Sequence, residues 1–569
     1  MIILGLEAYF HDTSASILVD GDLIYAVQEE RLTRHKRTRD FPLKAINTCL
    51  NKAGITIKDV EICAFPVNPG IYLEHFDGTQ SGLPRYRGEI WHSVLNNLMT
   101  FLPHGYSVNN STQSVTIDGY ELKIQYVEHH LAHAASAFYP SGFNESAILT
   151  IDGFGEKDCL LLAIGNKNTI TPLFKQEFPH SLGAFYKTIT EFLGFRPNND
   201  EWKVMGASSY GNESKYFDKL FSLFKLKQQG FELDLSYFNF YNFHRPLTYS
   251  KKMIELLGSP RYPGEPIKQI HFDIAMAAQK VTEEVVFHLA DNLYRATGMK
   301  KLCYGGGVAM NSVCNGKIVH ATPFEDLYIP YSPDDSGGCI GAALYTYHQL
   351  NNKPRKYVGS SNYLGPEYED SEIQKDMEIF DLQYYESKDP AKEAARLIAD
   401  GHIIGWFQGR VEFGDRALGN RSILADPRAV EMKDIINNRV KFREEFRPFA
   451  PAILEEYLDE YFITPSPTPF MEKVFMIKKE KREEIPAVVH VDGSGRLQSV
   501  SLKQNPLFYN LIKNFRDITG IPVVLNTSFN LKDEPIVCSP KDAIRTFFSS
   551  GINVLFLSKY VLVKRQDIL

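Results

Sequence analysis

The start of the chain alternates short apolar runs with polar loops. Ile2–Leu6 is apolar, a polar loop at 11–14 follows, and the apolar runs Ala15–Val19 and Leu23–Val27 flank Asp20-Gly21. Asp-Gly between two apolar runs is typical of a β-hairpin. The pattern therefore predicts three strands joined by a polar loop and a tight turn.

A similar pattern begins again at residue 147. Ala147–Ile151 predicts a strand, residues 152–156 form a Gly-rich polar loop, and Cys159–Ile164 and Thr169–Phe174 predict two more strands. Two stretches with one order of elements predict two related α/β lobes with a cleft between them. The alternative is that such patterns recur by chance in a mixed α/β protein.

The remaining pattern is also mixed. Apolar residues at every fourth position from Ala277 to Leu289 predict a helix. Asn351–Pro366 has little hydrophobic periodicity, so we expect a domain boundary there, between domains 1–352 and 353–569. Further predicted strands are Lys301–Tyr304, Leu327–Ile329, His402–Phe407, Pro522–Leu525 and Val554–Leu557, and further predicted helices are Cys339–Leu350, Pro390–Ala399 and Pro540–Ser549.

Composition narrows the class of protein. The 569 residues are 44% hydrophobic and 23% charged, with a formal net charge of −7. This composition is typical of a globular protein, and the negative net charge argues against a protein that binds nucleic acid. The seven cysteines show no CxxC spacing, and no basic leader or membrane-length apolar run is present. We therefore expect a cytoplasmic protein without a membrane or nucleic-acid partner.

Three histidines stand close together in residues 129–133. His129 and His133 are four residues apart, which would stack two imidazoles on one helix face, as metal binding needs. Asp152 and Asp335 each lie just before glycines, where α/β sheets place ligand-binding side chains. Such a His2Asp2 set suits iron, manganese or zinc. The alternative is that the histidines are core residues and the aspartates cap turns.

Glycine-rich loops and a basic set suggest anion sites. A glycine-rich loop, residues 305–311, connects a predicted strand to a predicted helix and contains Gly305, Gly306, Gly307 and Asn311. Backbone N–H groups in such a loop can approach a phosphate. The alternative is that the glycines only allow tight packing of the strand against the helix. The stretch from Lys203 to Gly206 is a weaker candidate of this kind. Basic residues with Ser and Asn favour a phosphate pocket over surface ion pairs: Arg410, Arg416, Arg421, Lys441, Arg443, Arg447, Arg496, Asn526 and Ser528.

Together these residues resemble the NodU/CmcH family of O-carbamoyltransferases over nearly the whole chain. The stretches that carry the resemblance are HDTSA (11–15), EERLTRHK (29–36), HHLAHAASAF (129–138), TIDGFGE (150–156), PHSLGAFY (179–186), EWKVMG (201–206), GGGVAMN (305–311), RALGNRSILADPR (416–428), KFREEFRPFAPAIL (441–454) and LNTSFN (525–530). The resemblance implies a duplicated ASKHA (actin-like, TsaD-like) domain followed by a YrdC-like α/β domain.

The resemblance also implies roles for individual residues. His129, His133, Asp152 and Asp335 match metal ligands, and His11 matches a histidine near the acceptor hydroxyl. The predicted catalytic residues are His11, Asp12 and His130. The predicted cofactor-binding residues are Lys203, Gly306, Gly307, Asn311, Arg416, Lys441, Arg447, Arg496, Asn526 and Ser528.

Two positions depart from the family pattern. Asp415 stands where the family usually has proline, which places a carboxylate beside the proposed anion site and next to Arg416. The loop after Gly206 departs from the usual GLAPYG, which weakens its expected nucleotide contact.

The resemblance implies an ATP-dependent enzyme with several ligands. Carbamoyl phosphate and ATP, with magnesium, would form carbamoyl adenylate, and iron or another divalent metal would assist transfer to a hydroxyl of a small natural product, such as an antibiotic or toxin precursor. The alternatives are a threonylcarbamoyl-type tRNA-modifying enzyme and an ASKHA nucleotide-binding regulator without transfer activity. The sequence leaves the acceptor and the oligomeric state open, and a homodimer is compatible with it.

Overall fold

The computed structural model describes residues 1–8, 12–68, 112–117, 119–212, 215–242, 245–355, 361–443 and 447–564. The chain forms two compact units. The first unit comprises Met1–Glu29 and Arg37–Gly359, and the second comprises Glu30–Lys36 and Ser360–Leu569. The expected boundary at 352/353 lies close to this division, but the assignment of Glu30–Lys36 to the second unit was not predicted.

The strands of the first unit form two large sheets and a small hairpin. They are β1 (Ile2–Glu7), β2 (Ser14–Val19), β3 (Asp22–Gln28), β4 (Ile62–Phe65), β5 (Thr112–Ile117), β6 (Tyr120–Tyr126), β7 (Glu145–Ile151), β8 (Asp158–Asn166), β9 (Thr169–Glu177), β10 (Phe224–Leu226), β11 (Phe231–Leu233), β12 (Lys301–Gly305) and β13 (Asp326–Tyr328). The two large sheets have the orders β3-β2-β1-β4-β6-β5 and β13-β12-β7-β8-β9.

The two large sheets repeat one topology. β1 pairs antiparallel with β2 and parallel with β4, just as β7 pairs antiparallel with β8 and parallel with β12. In both sheets an antiparallel third strand, β3 or β9, completes one edge. This confirms the duplicated α/β arrangement expected of an ASKHA domain. The first hairpin turns at Asp20 and Gly21, both with positive φ, as the Asp-Gly pattern predicts.

The helices among the described residues of this part of the chain pack against the two sheets. They are α1 (Glu29–Thr33, most of which belongs to the second unit), α2 (Leu43–Ala53), α3 (His129–Phe138), α4 (Leu182–Phe192), α5 (Glu201–Ser208), α6 (Phe217–Phe221), α7 (Lys251–Leu257), α8 (Gln269–Thr297), α9 (Ser312–Asn315), α10 (Ile318–Ala321) and α11 (Gly338–Tyr345). After α11 the chain continues as a π-helix to Leu350, the end predicted for this helix.

The apolar helix α11 is the centre of the first unit. All of its residues are buried. A Cβ at Gly5 in β1 would lie 1.9 Å from the Cys339 carbonyl oxygen, and one at Gly341 would lie 2.0 Å from that of Ala132 in α3. Only glycine allows these two close approaches. They bring the start of α11, and with it Asp335, towards the histidines of α3.

The second unit is built on a nine-stranded mixed sheet. Its strands are β14 (Tyr385–Glu386), β15 (Ile404–Phe407), β16 (Arg421–Ala425), β17 (Ala450–Leu454), β18 (Lys473–Met476), β19 (Ser494–Val500), β20 (Val523–Ser528), β21 (Val554–Leu557) and β22 (Tyr560–Val563). Its helices are α12 (Asp370–Ile379), α13 (Pro390–Ala399), α14 (Met432–Ile436), α15 (Leu458–Tyr461), α16 (Pro506–Thr519) and α17 (Pro540–Phe548). The strand order is β14-β22-β21-β15-β16-β20-β17-β19-β18.

Two apolar cores cover the two faces of this sheet. Helices α13 and α16 pack on one face, and α12, α14 and α17 pack on the other. Alternate residues of β20 divide between them: Val524 joins the first core, and Val523 and Leu525 join the second. The α/β class expected of the second domain is confirmed. Among the described residues, no helix has the length and apolar character that crossing a membrane requires.

Candidate functional site

Two histidines and two aspartates meet in the first unit. His129 and His133 lie one turn apart on α3, Asp152 directly follows β7, and Asp335 precedes α11. One ligand atom from each of these residues lies within 4.8 Å of all the others. We call these four residues the His/Asp cluster. The structure thus brings together the four residues predicted as metal ligands.

The distances within the His/Asp cluster suit a shared cation. The two imidazole Nε2 atoms are 3.0 Å apart, and Asp152 Oδ2 is 3.0 and 3.1 Å from them. Asp335 Oδ1 lies 3.5 and 3.6 Å from the same two nitrogens. Ligand atoms about 2.0–2.1 Å from one ion are separated by about 3.0–3.4 Å, so the set fits a small divalent metal.

The electrostatics of the His/Asp cluster also favour a cation. Burial acts to lower the pKa of His133, but Asp152 and Asp335 outweigh it and raise that pKa to about 10. Burial acts to raise the pKa of Asp152, yet hydrogen bonds from the two histidines hold it well below its usual range. Two imidazole nitrogens 3.0 Å apart repel each other unless a proton or a metal ion lies between them. The donor set therefore fits a divalent metal.

Backbone groups orient the Asp152 carboxylate. Its Oδ1 accepts hydrogen bonds from the N–H groups of Gly153 at 2.7 Å and Gly307 at 3.3 Å, which leaves Oδ2 facing the histidines. A Cβ at Gly307 would lie 2.7 Å from Oδ1. Gly307 therefore helps to position a candidate metal ligand, a role in addition to the predicted nucleotide contact.

Glu7 is a residue of this region that sequence reasoning missed. Its carboxylate is fully buried at the end of β1, and within the described residues neither oxygen has a hydrogen-bond partner. Burial, together with Asp335, Asp12 and Asp334, raises the pKa of Glu7 well above its usual range. The repeat offered a signal, because Glu7 ends β1 much as Asp152 follows β7.

The predicted catalytic residues have different surroundings. His11 lies outside the described residues. Asp12 is buried, and its backbone has the left-handed conformation, with a φ of 70°. One of its carboxylate oxygens lies 3.9 Å from Arg37 Nε. The ring nitrogens of His130 contact Thr150 Oγ1 at 2.6 Å and the Asp158 carbonyl at 3.1 Å. Its contacts are those of a buried structural histidine, and its catalytic role stays a prediction.

The predicted nucleotide-binding residues of the first unit make contacts within the protein. Gly306 has φ 87°, and a Cβ there would lie 2.3 Å from the Ile151 carbonyl oxygen, so close packing requires glycine. Asn311 exchanges hydrogen bonds with Gln279 and caps α9. Lys203 lies 3.1 Å from Asp200. The nucleotide contacts of these residues stay predictions.

Lys441 is the strongest candidate for an anion ligand in the second unit. Its ammonium group is buried and donates to the carbonyl and hydroxyl of Ser528 and to the carbonyl and side-chain oxygen of Asn530. Within the described residues, all of these acceptors are uncharged. Burial first, then the charges of Arg443 and Arg447, lower the pKa of Lys441 well below its usual range. We call Lys441, Arg443 and Arg447 the Lys441 cluster.

A second group of charges surrounds Arg496. Burial and the like charge of Arg416 lower the pKa of Arg496 well below its usual range, and the Asp415 carboxylate acts in the opposite direction. Arg496 Nε donates to the Met471 carbonyl at 2.8 Å. The Asp415 carboxylate, at the position where the resemblance expects proline, therefore acts electrostatically on Arg496, a residue predicted to bind phosphate. This carboxylate offsets part of the positive charge there.

Asn526 and Glu412 hold the loop that carries Asp415 and Arg416. Asn526 donates to the Ala417 carbonyl at 3.0 Å. Glu412 Oε1 accepts hydrogen bonds from three backbone N–H groups, at 2.8, 2.8 and 3.2 Å, which belong to Leu418, Asn420 and Arg421. Asn526 thus holds the loop through a hydrogen bond to its backbone, while Ser528 contacts Lys441 directly. Buried Arg421, with its guanidinium 3.5 Å from the centre of the Phe407 ring, is structural.

Comparison with known proteins assigns the family. The chain matches the family described as Carbamoyltransferase N-terminus over residues 2–344 and the one described as Carbamoyltransferase C-terminus over residues 395–564. It is 39% identical to the uncharacterized protein sll1178 of Synechocystis sp., covering 99% of this chain and 96% of that protein.

Two rhizobial proteins are also similar to the chain. It is 36% identical to nodulation protein NolNO of Sinorhizobium fredii, over 98% of this chain and 80% of that protein. It is 38% identical to nodulation protein NolO of Bradyrhizobium diazoefficiens, over 77% and 79% of the two chains. Both family matches and these relatives agree with the motifs, and the chain belongs to the carbamoyltransferase family of enzymes.

Proposed function

We propose that this carbamoyltransferase activates carbamoyl phosphate with ATP as carbamoyl adenylate and passes the carbamoyl group to a hydroxyl of a small natural product. The observation that carries the proposal is the buried Lys441 ammonium, held only by uncharged acceptors of the described chain and flanked by Arg443 and Arg447. Buried like charges repel, so such a group is stabilised by an anionic ligand.

We propose that the reaction takes place in three steps. Water releases phosphate from carbamoyl phosphate and leaves carbamate. A carbamate oxygen then attacks the α-phosphorus of ATP, forms carbamoyl adenylate and expels pyrophosphate. Finally the acceptor oxygen attacks the carbamoyl carbon, loses its proton to a base, and AMP leaves. Lys441, Arg447, Arg416 and Arg496 would bind the phosphate groups by charge-assisted hydrogen bonds.

The His/Asp cluster would serve the transfer step. Its two imidazoles and two carboxylates would hold a divalent metal, with Asp152 oriented by Gly153 and Gly307. When bound, such an ion acts as a Lewis acid towards a carbonyl or phosphoryl oxygen. We assign iron as the first candidate from the family resemblance, and magnesium as the companion of ATP.

His11 is the proposed base for the acceptor hydroxyl. An unperturbed imidazole titrates near neutral pH, which suits the removal of a proton during attack. The acceptor itself is proposed only by class, as a hydroxylated small molecule such as an aminoglycoside, a polyketide or an alkaloid alcohol. A net charge of −7 disfavours the tRNA-modifying alternative.

A product screen tests this proposal. The protein is incubated with carbamoyl phosphate, ATP and magnesium and with pools of hydroxylated metabolites, and a parallel arm contains tRNA. Mass spectrometry should find a carbamoyl adduct on a small molecule, and the adduct should require both ATP and carbamoyl phosphate. Carbamoylation of tRNA alone, or an adduct that forms without ATP, would contradict the proposal.

A further inference from the structure

The loop that joins β7 to β8 carries a second carboxylate besides that of Asp152. Asp152 opens the loop, and Glu156 lies near its end, in the motif TIDGFGE. The Glu156 side chain is buried, yet it is not a member of the His/Asp cluster. Sequence reasoning missed this residue. Its contacts, which are with backbone groups, connect the loop to the helix that carries the two histidines.

The Glu156 carboxylate accepts hydrogen bonds from two backbone N–H groups. Its Oε1 accepts from Asn68 at 2.6 Å and from His129 at 3.0 Å, and its Oε2 lies 3.2 Å from the same His129 nitrogen. Asn68 comes shortly after β4, and His129 is the first residue of α3. Glu156 therefore joins three parts of the first unit: the loop after β7, the chain after β4 and the start of α3.

The start of α3 depends on this carboxylate. The first N–H groups of a helix have no partner within the helix, and a negative charge is favourable there. Glu128, the residue before the helix, makes no capping hydrogen bond through its side chain, which pairs with Lys175. Glu156 thus provides the acceptor that the capping residue does not, and the N–H group that it accepts from belongs to His129, a predicted metal ligand.

Close packing fixes the loop against the same histidine. A Cβ at Gly155 would lie 2.8 Å from His129 Cβ and 3.1 Å from its Cδ2, so the loop and the imidazole are in direct contact. At the other end of the loop, Ser181 Oγ donates to the Asp152 carbonyl at 3.1 Å. The loop is therefore held at both ends. The distance between the Asp152 carboxylate and the imidazoles of α3 depends on the contacts that Glu156 makes.

We propose that Glu156 is a positioning residue of the metal site, which holds α3 against the loop after β7 and so keeps the two imidazoles at ligand distance from Asp152. This inference rests on the proposed function, in which the His/Asp cluster holds a divalent metal. Glu156 acts through the ligands and is not one of them, because its oxygens accept from backbone N–H groups. Removal of such a supporting contact typically weakens metal binding by about 10–100-fold.

Titration of the metal-free, full-length protein with Co²⁺ tests the role of Glu156. The visible absorption bands of bound Co²⁺ report both its affinity and the arrangement of its ligands, and they need no turnover. We expect Glu156→Ala to weaken Co²⁺ binding about tenfold or more and to change the absorption bands, because the imidazoles move relative to Asp152. Glu156→Gln keeps one acceptor oxygen, so its affinity should lie between those of Glu156→Ala and wild type.

Two other glutamates of the first unit provide matched controls. Glu283 is also buried, and it accepts hydrogen bonds from Gln279 and Lys317 rather than from the helix that carries the histidines. Glu145 is exposed at the start of β7. Glu283→Gln should lower the midpoint of thermal unfolding but leave the affinity and absorption bands of Co²⁺ unchanged. Glu145→Gln should change none of these quantities.

The outcomes separate this inference from the proposed metal site. If His133→Ala loses Co²⁺ affinity while Glu156→Ala has the affinity and absorption bands of wild type, the metal site stands and the role of Glu156 is wrong. If His133→Ala keeps full affinity, the His/Asp cluster is not the metal site, and the inference falls with it. If Glu283→Gln weakens Co²⁺ binding as much as Glu156→Ala does, the effect follows from lost stability, which would also overturn the positioning role. If Glu156→Ala does not fold, Glu156→Gln carries the test, and wild-type affinity in that variant would equally overturn the role.

Discussion

At the scale of single residues, Asp152 has the most constrained position in the His/Asp cluster. Its two oxygens have separate tasks, since Oδ1 accepts from the N–H groups of Gly153 and Gly307 and Oδ2 faces the histidines. Asp152→Asn would replace one carboxylate oxygen with an amide nitrogen, a poor metal ligand. We therefore expect this substitution to impair metal binding although it preserves the size of the side chain.

His133 offers the clearest test of metal binding. His133→Ala removes one of four ligands and should reduce the metal content measured by elemental analysis, whereas His320→Ala, at an exposed histidine, should leave it unchanged. A bound ion displaces protons from its ligands, so metal content should also fall as the pH is lowered. Equal metal content in wild type and His133→Ala would contradict the assignment.

Substitutions of Lys441 and Arg447 provide the corresponding test of the proposed carbamoyl phosphate site. Lys441→Ala and Arg447→Ala should each cost about 2–4 kcal/mol of carbamoyl phosphate binding or transition-state stabilisation, as expected when one partner of a buried charge pair is removed. Apparent affinities from steady-state kinetics measure this, with Lys479→Ala, at an exposed lysine of the second unit, as the control. Normal apparent affinity in both variants would place the phosphate site elsewhere.

At the scale of elements, the loop from Glu412 to Arg421 depends on one buried carboxylate. Glu412→Ala leaves the N–H groups of Leu418, Asn420 and Arg421 without their acceptor. We expect a loss of more than about 3 kcal/mol in the free energy of unfolding. Urea denaturation measures this, and Glu431→Ala, at an exposed glutamate, is the control. A loss no larger than that of the control would show that the loop does not depend on Glu412.

Elements with strong local signals were predictable from sequence. Pro390–Ala399 was predicted at its observed bounds, and the structure shows the local signals that fix its start, since Asp389 caps the helix and Pro390 suits its first turn. The strand before Asp152 followed from the apolar pattern. The four-residue spacing of His129 and His133, and the positions of Asp152 and Asp335 just before glycines, predicted one His2Asp2 set, and the family resemblance agreed with it. These four predicted ligands come close together because helices and strands pack tightly at Gly5 and Gly341. No local sequence pattern indicates that packing.

Other features depend on contacts between distant residues. In the sequence, Glu7 is a charged residue at the end of an apolar run. Only the fold shows that it is buried and that the charge of Asp335 acts on it. Likewise, the charged segment EERLTRHK (29–36) has no local pattern that indicates which of the two units it packs with. Arg34 reaches acceptors some 500 positions away in the chain, at Pro535 and Ile536. Such long-range pairing is decided by tertiary packing rather than by propensity.

In the molecule as a whole, the two chemical steps of the proposed reaction belong to different units. The Lys441 cluster belongs to the second unit, and the His/Asp cluster belongs to the first. Formation of carbamoyl adenylate should therefore depend on the second unit, and transfer to the acceptor should depend on the first. Since an acyl adenylate reacts readily with water, transfer should occur without its release into solvent.

His11→Ala tests this division, since His11 is the proposed base for the acceptor. The variant should still form pyrophosphate from ATP and carbamoyl phosphate but give little carbamoylated product. Pyrophosphate release and product mass, measured in the same reaction, report on the two steps separately. If a folded His11→Ala protein lost both steps or kept both in full, His11 would not have the proposed role.

The proposed function requires that carbamoyl phosphate and ATP react together at the site that contains Lys441. The most direct measurement is pyrophosphate release by the purified protein, with and without carbamoyl phosphate, in the absence of any acceptor. We predict release only when both substrates are present, and its loss in Lys441→Ala but not in Lys479→Ala. Pyrophosphate release from ATP alone, or no release with both substrates and bound metal, would contradict the account.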